Sequence, residues 1–195
     1  MALIEIEHLK KYFHVASGTN HAVDDITLKI EKGRTMGVVG ESGCGKSTLG
    51  RTMIHLHEAT DGIIRLDGED ITHAEGKDLK RIREKMQIIF QDPYASLNPR
   101  MTMEATVREP LAEARRFSKS EIAQRTEELM ERVGIERRLR LAYPHELDGG
   151  RRQRIGIARA IALNPDFIMC DEPVSALDVS IQAQVLNLLM DLQEE

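Results

Sequence analysis

Val39-Gly40-Glu41-Ser42-Gly43-Cys44-Gly45-Lys46-Ser47-Thr48 is the stretch that decides the fold of this 195-residue chain. It fits the pattern GxxxxGK[ST] and reads as a phosphate-binding loop. Glycines at 40, 43 and 45 let the backbone curl until successive N–H groups point at phosphate oxygens, and the helix that follows adds its positive end. Lys46 is expected to reach the β and γ phosphates, and the Ser47 hydroxyl suits the inner shell of Mg²⁺, a hard cation that takes oxygen donors. The flanks agree with that reading. Thr35 to Val39 is apolar enough for a buried strand, and Thr48 to Leu56 carries apolar residues at helical spacing, so strand, loop and helix are expected in that order.

Working outward, residues 3 to 9 and 22 to 30 alternate apolar and polar positions, as half-buried strands do. Ile63 to Leu66 repeats the alternation before Asp67-Gly68, a turn signal. Met86-Gln87-Ile88-Ile89-Phe90 is short and β-branched, as expected of a strand covered on both faces, and ends at Gln91-Asp92-Pro93. From there to about residue 163 the texture is helical and charged. Ser118 with Glu121 forms a capping-box pattern; Ile122, Thr126, Leu129, Met130 and Val133 mark one face, and Gly134 supplies a stop. Phe167 to Cys170 is a second apolar strand, and a last helix opens near Ser180. The expected organisation is one domain over 1–195, with an α/β lobe at about 1–91 and 164–195 and an inserted helical subdomain at about 92–163.

Composition narrows the function classes. A formal charge of -5 leaves no broad basic field, so nucleic acid is not an expected partner. The arginine clusters at 137, 138, 140 and at 151, 152, 154 read as solvated faces. The two cysteines, Cys44 and Cys170, sit inside motifs and suggest no disulfide framework. Acidic residues at Glu5 and Glu7 occupy the place where a signal peptide needs an apolar core, and no segment approaches membrane-spanning length.

Asp171 and Glu172 follow the strand 167–170, at the edge where open α/β sheets hold their ligands. Asp171 is expected to hold the magnesium shell. Glu172 is expected to orient and polarise the water that attacks a γ phosphate.

The ordered set of phosphate loop, Gln91, Leu147-Asp148-Gly149-Gly150-Arg151-Arg152-Gln153-Arg154, Asp171-Glu172 and Ser175-Ala176-Leu177-Asp178 resembles the ATP-binding subunits of ABC transporters. The stretches from Gln91 to Arg100, Tyr143 to Glu146 and Glu172 to Ser180 look like the dipeptide, oligopeptide and nickel importer branch. The resemblance implies a P-loop NTPase with a RecA-like core, an N-terminal antiparallel β region and an inserted helical subdomain, using ATP and Mg²⁺. It implies a sandwich dimer in which each ATP lies between one subunit's phosphate loop and the other's signature segment, Leu147, Asp148, Gly149, Gly150 and Arg151. The second subunit would be a related or identical ATPase. Permease subunits in the membrane would be direct partners, an extracytoplasmic solute-binding protein an indirect one, and the chain would sit peripherally on the cytoplasmic face. By the same match Gln91 would contact metal and attacking water, and Asp178 would act across the dimer; as an isolated residue Asp178 also suits an N-cap. Tyr12 is the candidate for stacking on adenine with Phe13 as rival, and a core role is open to either.

Two departures from the family pattern stand out. The usual Leu-Ser-Gly-Gly-Gln has Asp148 in place of serine and Arg151 in place of glutamine. An ionised Asp accepts but does not donate and repels phosphate, yet Asp caps a helix as well as Ser, and Arg151 can neutralise it or bind phosphate itself. The family's switch histidine has no counterpart here; His55 and His57 read as surface residues of the first helix. The chain therefore reads as a fragment of a longer subunit, and a nucleotide-dependent dimerisation or regulatory module with little turnover is the alternative expectation.

Overall fold

In the computed structural model, which describes residues 2–16 and 18–194, the chain divides between Met86 and Gln87 into two compact units. Glu195, where the sequence reading places the cut, lies outside the described residues.

The first unit is built on an antiparallel sheet of order β2-β1-β3-β4, made of β1 (Ala2–Val15), β2 (Gly18–Glu31), β3 (Asp61–Leu66) and β4 (Glu69–Asp70). Alternation places Ile4, Ile6 and Leu9 of β1 and Ile64 and Leu66 of β3 in the core, all buried. The first two strands run well past the alternating stretches: Tyr12 is opposite His21 and Val15 opposite Gly18. Register shifts interrupt the β1–β2 ladder, where His8 and Asp25 both take positive φ (51° and 54°) and join through Nδ1 and Oδ1 at 2.7 Å. Asp67 and Gly68, with φ of 51° and 81°, make the two-residue turn from β3 to β4 that their sequence announces. The unit also holds α1 (Lys46–Met53) and α2 (Gly76–Lys85).

The expected strand at Thr35–Val39 is not formed. Residues 34–40 have no regular structure, and Val38 and Val39 are 51% and 97% exposed. Apolar β-branched residues favour a strand only where a neighbouring ladder accepts them, and no described strand pairs with this segment. The first helix is also shorter than its apolar spacing suggests. It stops at Met53, and His55 (φ 57°) leaves the helical region, so neither His55 nor His57 lies on it. Both are half-buried rather than surface residues, and desolvation holds both imidazoles below the usual histidine range.

The second unit joins β5 (Met86–Ile89) to β6 (Phe167–Cys170) and surrounds them with α3 (Pro93–Ser96), α4 (Met103–Glu113), α5 (Lys119–Arg132), α6 (Gly149–Ile161) and α7 (Val179–Glu194). Its main core gathers Ile89, Met103, Val107, Met130, Ile155 and Val185. The Ser118 capping box is present in full at the start of α5: the hydroxyl accepts from the Glu121 amide, and Glu121 accepts from the Ser118 amide. The helices between 93 and 161 belong to the same unit as β6 and α7. Among the described residues no helix is long and apolar enough to cross a membrane.

Candidate functional site

The phosphate loop lies in the first unit. Gly43 (φ 80°) and Gly45 (φ 96°) both take left-handed backbone, and a Cβ at Gly45 would stand 2.1 Å from the Ala22 carbonyl of β2. Only glycine meets both demands. The turn is closed by the Cys44 amide donating to the Glu41 carbonyl at 3.3 Å, and α1 begins at once with Leu49 N–H to Gly45 O at 2.8 Å. Lys46 folds back over the loop: its ammonium donates to the carbonyls of Gly40 (2.9 Å) and Glu41 (2.7 Å). The positive charge therefore sits at the head of a loop followed by a helix N-terminus that carries Ser47 and Thr48, a combination that attracts an anion. Ser42 lies in the turn between Glu41 and Gly43.

In the second unit the sheet brings Gln91 and the two carboxylates together. The Asp171 amide donates to Ile89 O at 2.9 Å, which ties the end of β6 to the end of β5. Asp171 is buried and Glu172 is exposed. Glu172 holds positive φ (47°), a conformation that costs a non-glycine residue about 1 kcal/mol or more and that bends the chain just after the strand. Its carboxylate accepts from the Gln91 side-chain amide at 2.9 Å. The same Gln91 nitrogen reaches Ser175 Oγ at 3.3 Å, and Ser175 donates to the Glu172 carbonyl at 3.2 Å. Gln91, Glu172 and Ser175 thus form one exposed polar cluster beside a buried acid.

The segment 147–151 and the loop ending at Asp178 are packed together. Leu147 is buried, Asp148 is the N-cap of α6, and its carboxylate accepts from the Arg151 amide at 2.8 Å. A Cβ at Gly149 would meet the Leu177 side chain at 3.1 Å and one at Gly150 the Ile181 side chain at 2.6 Å, so the two glycines admit the 177–181 stretch against the helix start. Gln182 fastens that loop by donating to the carbonyls of Val174 (3.1 Å) and Leu177 (2.9 Å). The Asp178 carbonyl accepts from the Ile181 and Gln182 amides, both at 2.9 Å, as α7 opens.

The family model described as ABC transporter matches residues 23–175. The chain belongs to the ABC transporter family. Among curated relatives of this ABC chain, the oligopeptide transport ATP-binding protein OppF of Bacillus subtilis is 55% identical over 195 residues, covering 99% of the chain and 64% of OppF. The protein of the same name in Salmonella typhimurium is 49% identical over 203 residues, covering 99% of the chain and 61% of the relative. The chain thus spans less than two thirds of the length of these relatives. A dimeric post-hydrolysis structure of the ATP-binding cassette MJ0796 with ADP and Pi superposes with a TM-score of 0.89 at 30% identity, covering 98% of this chain and 83% of that one. CbiO1 of Clostridium perfringens, part of the ABC transporter complex cbiONQ, gives 0.84 at 27% identity, covering 99% and 74%. The expected α/β P-loop NTPase class, with its antiparallel N-terminal sheet, is the fold of this ABC domain.

The Tyr12 ring stacks on His21 with centroids 4.0 Å apart, and its hydroxyl donates to Asp24 Oδ1 at 2.5 Å. Phe13 meets His57 edge-on at 5.5 Å. Both aromatics are half-buried on β1 and lie outside the buried core. Two contributors escaped the sequence reading. Gln182 is an ordinary polar residue whose only local signal is proximity to Asp178. Glu136 meets Arg151 at 3.3 Å, and its 15-residue separation carries no periodic cue.

Proposed function

We propose that this chain is the ATP-binding and ATP-hydrolysing part of an ABC importer for oligopeptides. It works as a peripheral subunit on the cytoplasmic face of the membrane, paired with a second ATPase subunit and docked on permease subunits that receive peptide from an extracytoplasmic solute-binding protein. The hydrogen bond from Gln91 to Glu172 carries the catalytic part of the reading, because it joins the expected water-orienting carboxylate to an amide at the same sheet edge. The names of the relatives support the solute class.

The residues divide the work as follows. Gly40, Gly43 and Gly45 shape the loop; Lys46 neutralises β and γ phosphate charge; Glu41, Ser42, Cys44, Ser47 and Thr48 complete the phosphate cradle. The donor set Ser47, Gln91 and buried Asp171 is all oxygen in its available ligands, which fits Mg²⁺, and these three would hold it. Held by these residues, Mg²⁺ would supply neutralisation of phosphate charge. Glu172 accepts a hydrogen bond from the attacking water while Gln91 holds the carboxylate in place. Water oxygen bonds to the γ phosphorus, the bond to the β–γ bridging oxygen breaks, and ADP and phosphate leave. Leu147, Asp148, Gly149, Gly150 and Arg151, with Asp178, close on the ATP of the partner subunit.

Titration of a fluorescent ATP analogue tests the nucleotide site. Lys46→Ala is expected to abolish binding, and retained affinity sinks the phosphate-loop assignment. For the solute, reconstitution with the cognate permease and binding protein in vesicles is expected to give ATP-dependent oligopeptide uptake; uptake of another solute and no peptide overturns the transport assignment.

A further inference from the structure

The two departures of the signature segment are one feature in space. Asp148 uses both carboxylate oxygens on Arg151: Oδ1 accepts the backbone amide at 2.8 Å, and Oδ2 accepts Nη1 of the guanidinium at 2.6 Å. The guanidinium is shared, because Nη2 donates to Glu136 Oε1 at 3.3 Å. Glu136 in turn accepts from Arg138 Nε at 2.6 Å through its other oxygen. Partial burial works to raise the Asp148 carboxyl, but the amide and guanidinium of Arg151 outweigh it and hold the group below the usual carboxylate range.

A free carboxylate at the start of α6 opposes any phosphate brought to that helix end, whereas one clasped to an arginine presents a nearly neutral pair. Leu177 and Ile181 pack closely over Gly149 and Gly150 at the start of α6, next to the Asp148 N-cap. We infer that Arg151 and Glu136 are positioning residues for the ATP of the partner subunit: Arg151 neutralises Asp148 and keeps its carboxylate turned onto α6, and Glu136 keeps Arg151 in that pose. This rests on the proposed role of residues 147–151 as the surface that closes on a partner's ATP. It also makes Asp148 and Arg151 a matched pair, so that either substitution has its meaning only in the presence of the other.

The test is the ATP concentration that gives half-maximal dimerisation of the full chain, read by light scattering in a Glu172→Gln background that does not turn ATP over. Arg151→Gln is expected to raise that concentration about fivefold, the upper range for an exposed charge pair. Adding Asp148→Ser to Arg151→Gln is expected to return it to within about twofold of the parent, and Arg151→Lys to preserve most of the parent's behaviour. Glu136→Gln is expected to raise it less than Arg151→Gln does. Equal weakening by Arg151→Gln and by the double variant means that Arg151 acts on phosphate by itself, and the inference is overturned; so it is if Arg151→Gln changes nothing. A Glu172→Gln parent that fails to dimerise with ATP brings down the proposed function itself, and this inference with it.

Discussion

Gly45 illustrates how much of the phosphate loop rests on a single residue. Its φ of 96° is outside the range an L side chain readily adopts, and the Ala22 carbonyl stands 2.1 Å from where a Cβ would be. Gly45→Ala therefore combines backbone strain with overpacking against β2, and is expected to cost about 2–4 kcal/mol. Urea denaturation of the variant measures this; a loss below about 1 kcal/mol shows that the loop can relax away from β2. Glu172 makes the complementary case for chemistry. Glu172→Gln keeps the size of the side chain and removes the charge proposed to polarise water, so ATP binding is expected to persist while turnover falls about a hundredfold or more. A phosphate-release assay beside a binding titration checks both halves, and full-rate hydrolysis rules the assignment out.

Among the helices, α5 begins on a reciprocal cap and α7 on a loop held from behind. Ser118→Ala removes the hydroxyl that accepts from the Glu121 amide and is expected to cost about 1 kcal/mol. The Glu121 carboxyl is held below the ordinary glutamate value of 4.5, chiefly by its hydrogen bonds from Ser118. The folded value is the lower one, so this contribution is fully present above pH 4.5 and is lost as pH falls through the folded value. The gap in denaturation midpoint between wild type and Ser118→Ala is thus expected to shrink in acid, and a constant gap down to pH 3, about a unit below the carboxylate range, assigns the cap to the hydroxyl alone. At α7, Gln182→Ala removes both bonds to the carbonyls of Val174 and Leu177. Faster amide exchange across 174–178 is the expected result, and unchanged exchange places the hold in the Leu177 and Ile181 contacts instead.

Over the whole molecule, the phosphate loop belongs to the unit Met1–Met86, and the signature segment, Gln91, Asp171 and Glu172 belong to the unit Gln87–Glu195. The proposed sandwich joins loop and signature segment between subunits, which makes pairing depend on nucleotide. ATP is expected to raise the mass of the Glu172→Gln protein to that of a dimer, and Lys46→Ala in the same background is expected to leave it monomeric. Pairing by the Lys46→Ala form shows that association does not need the phosphate loop.

What the sequence determined by itself is short-range. The phosphate loop, the Asp67-Gly68 turn, the Ser118 capping box and the Asp148 N-cap each depend on residues within a few positions of one another, where backbone conformation and local hydrogen bonds decide the outcome. What only the tertiary structure decided lies far apart in the chain. Thr35–Val39 has the composition of a strand and is not one, since a ladder needs a neighbour that composition does not reveal. Gln91 meets Glu172 across 81 positions because β5 and β6 pair, and Glu136 reaches Arg151 because the chain between α5 and α6 returns to the start of α6. Contacts of that kind follow from the packing of whole elements, which no local spacing encodes.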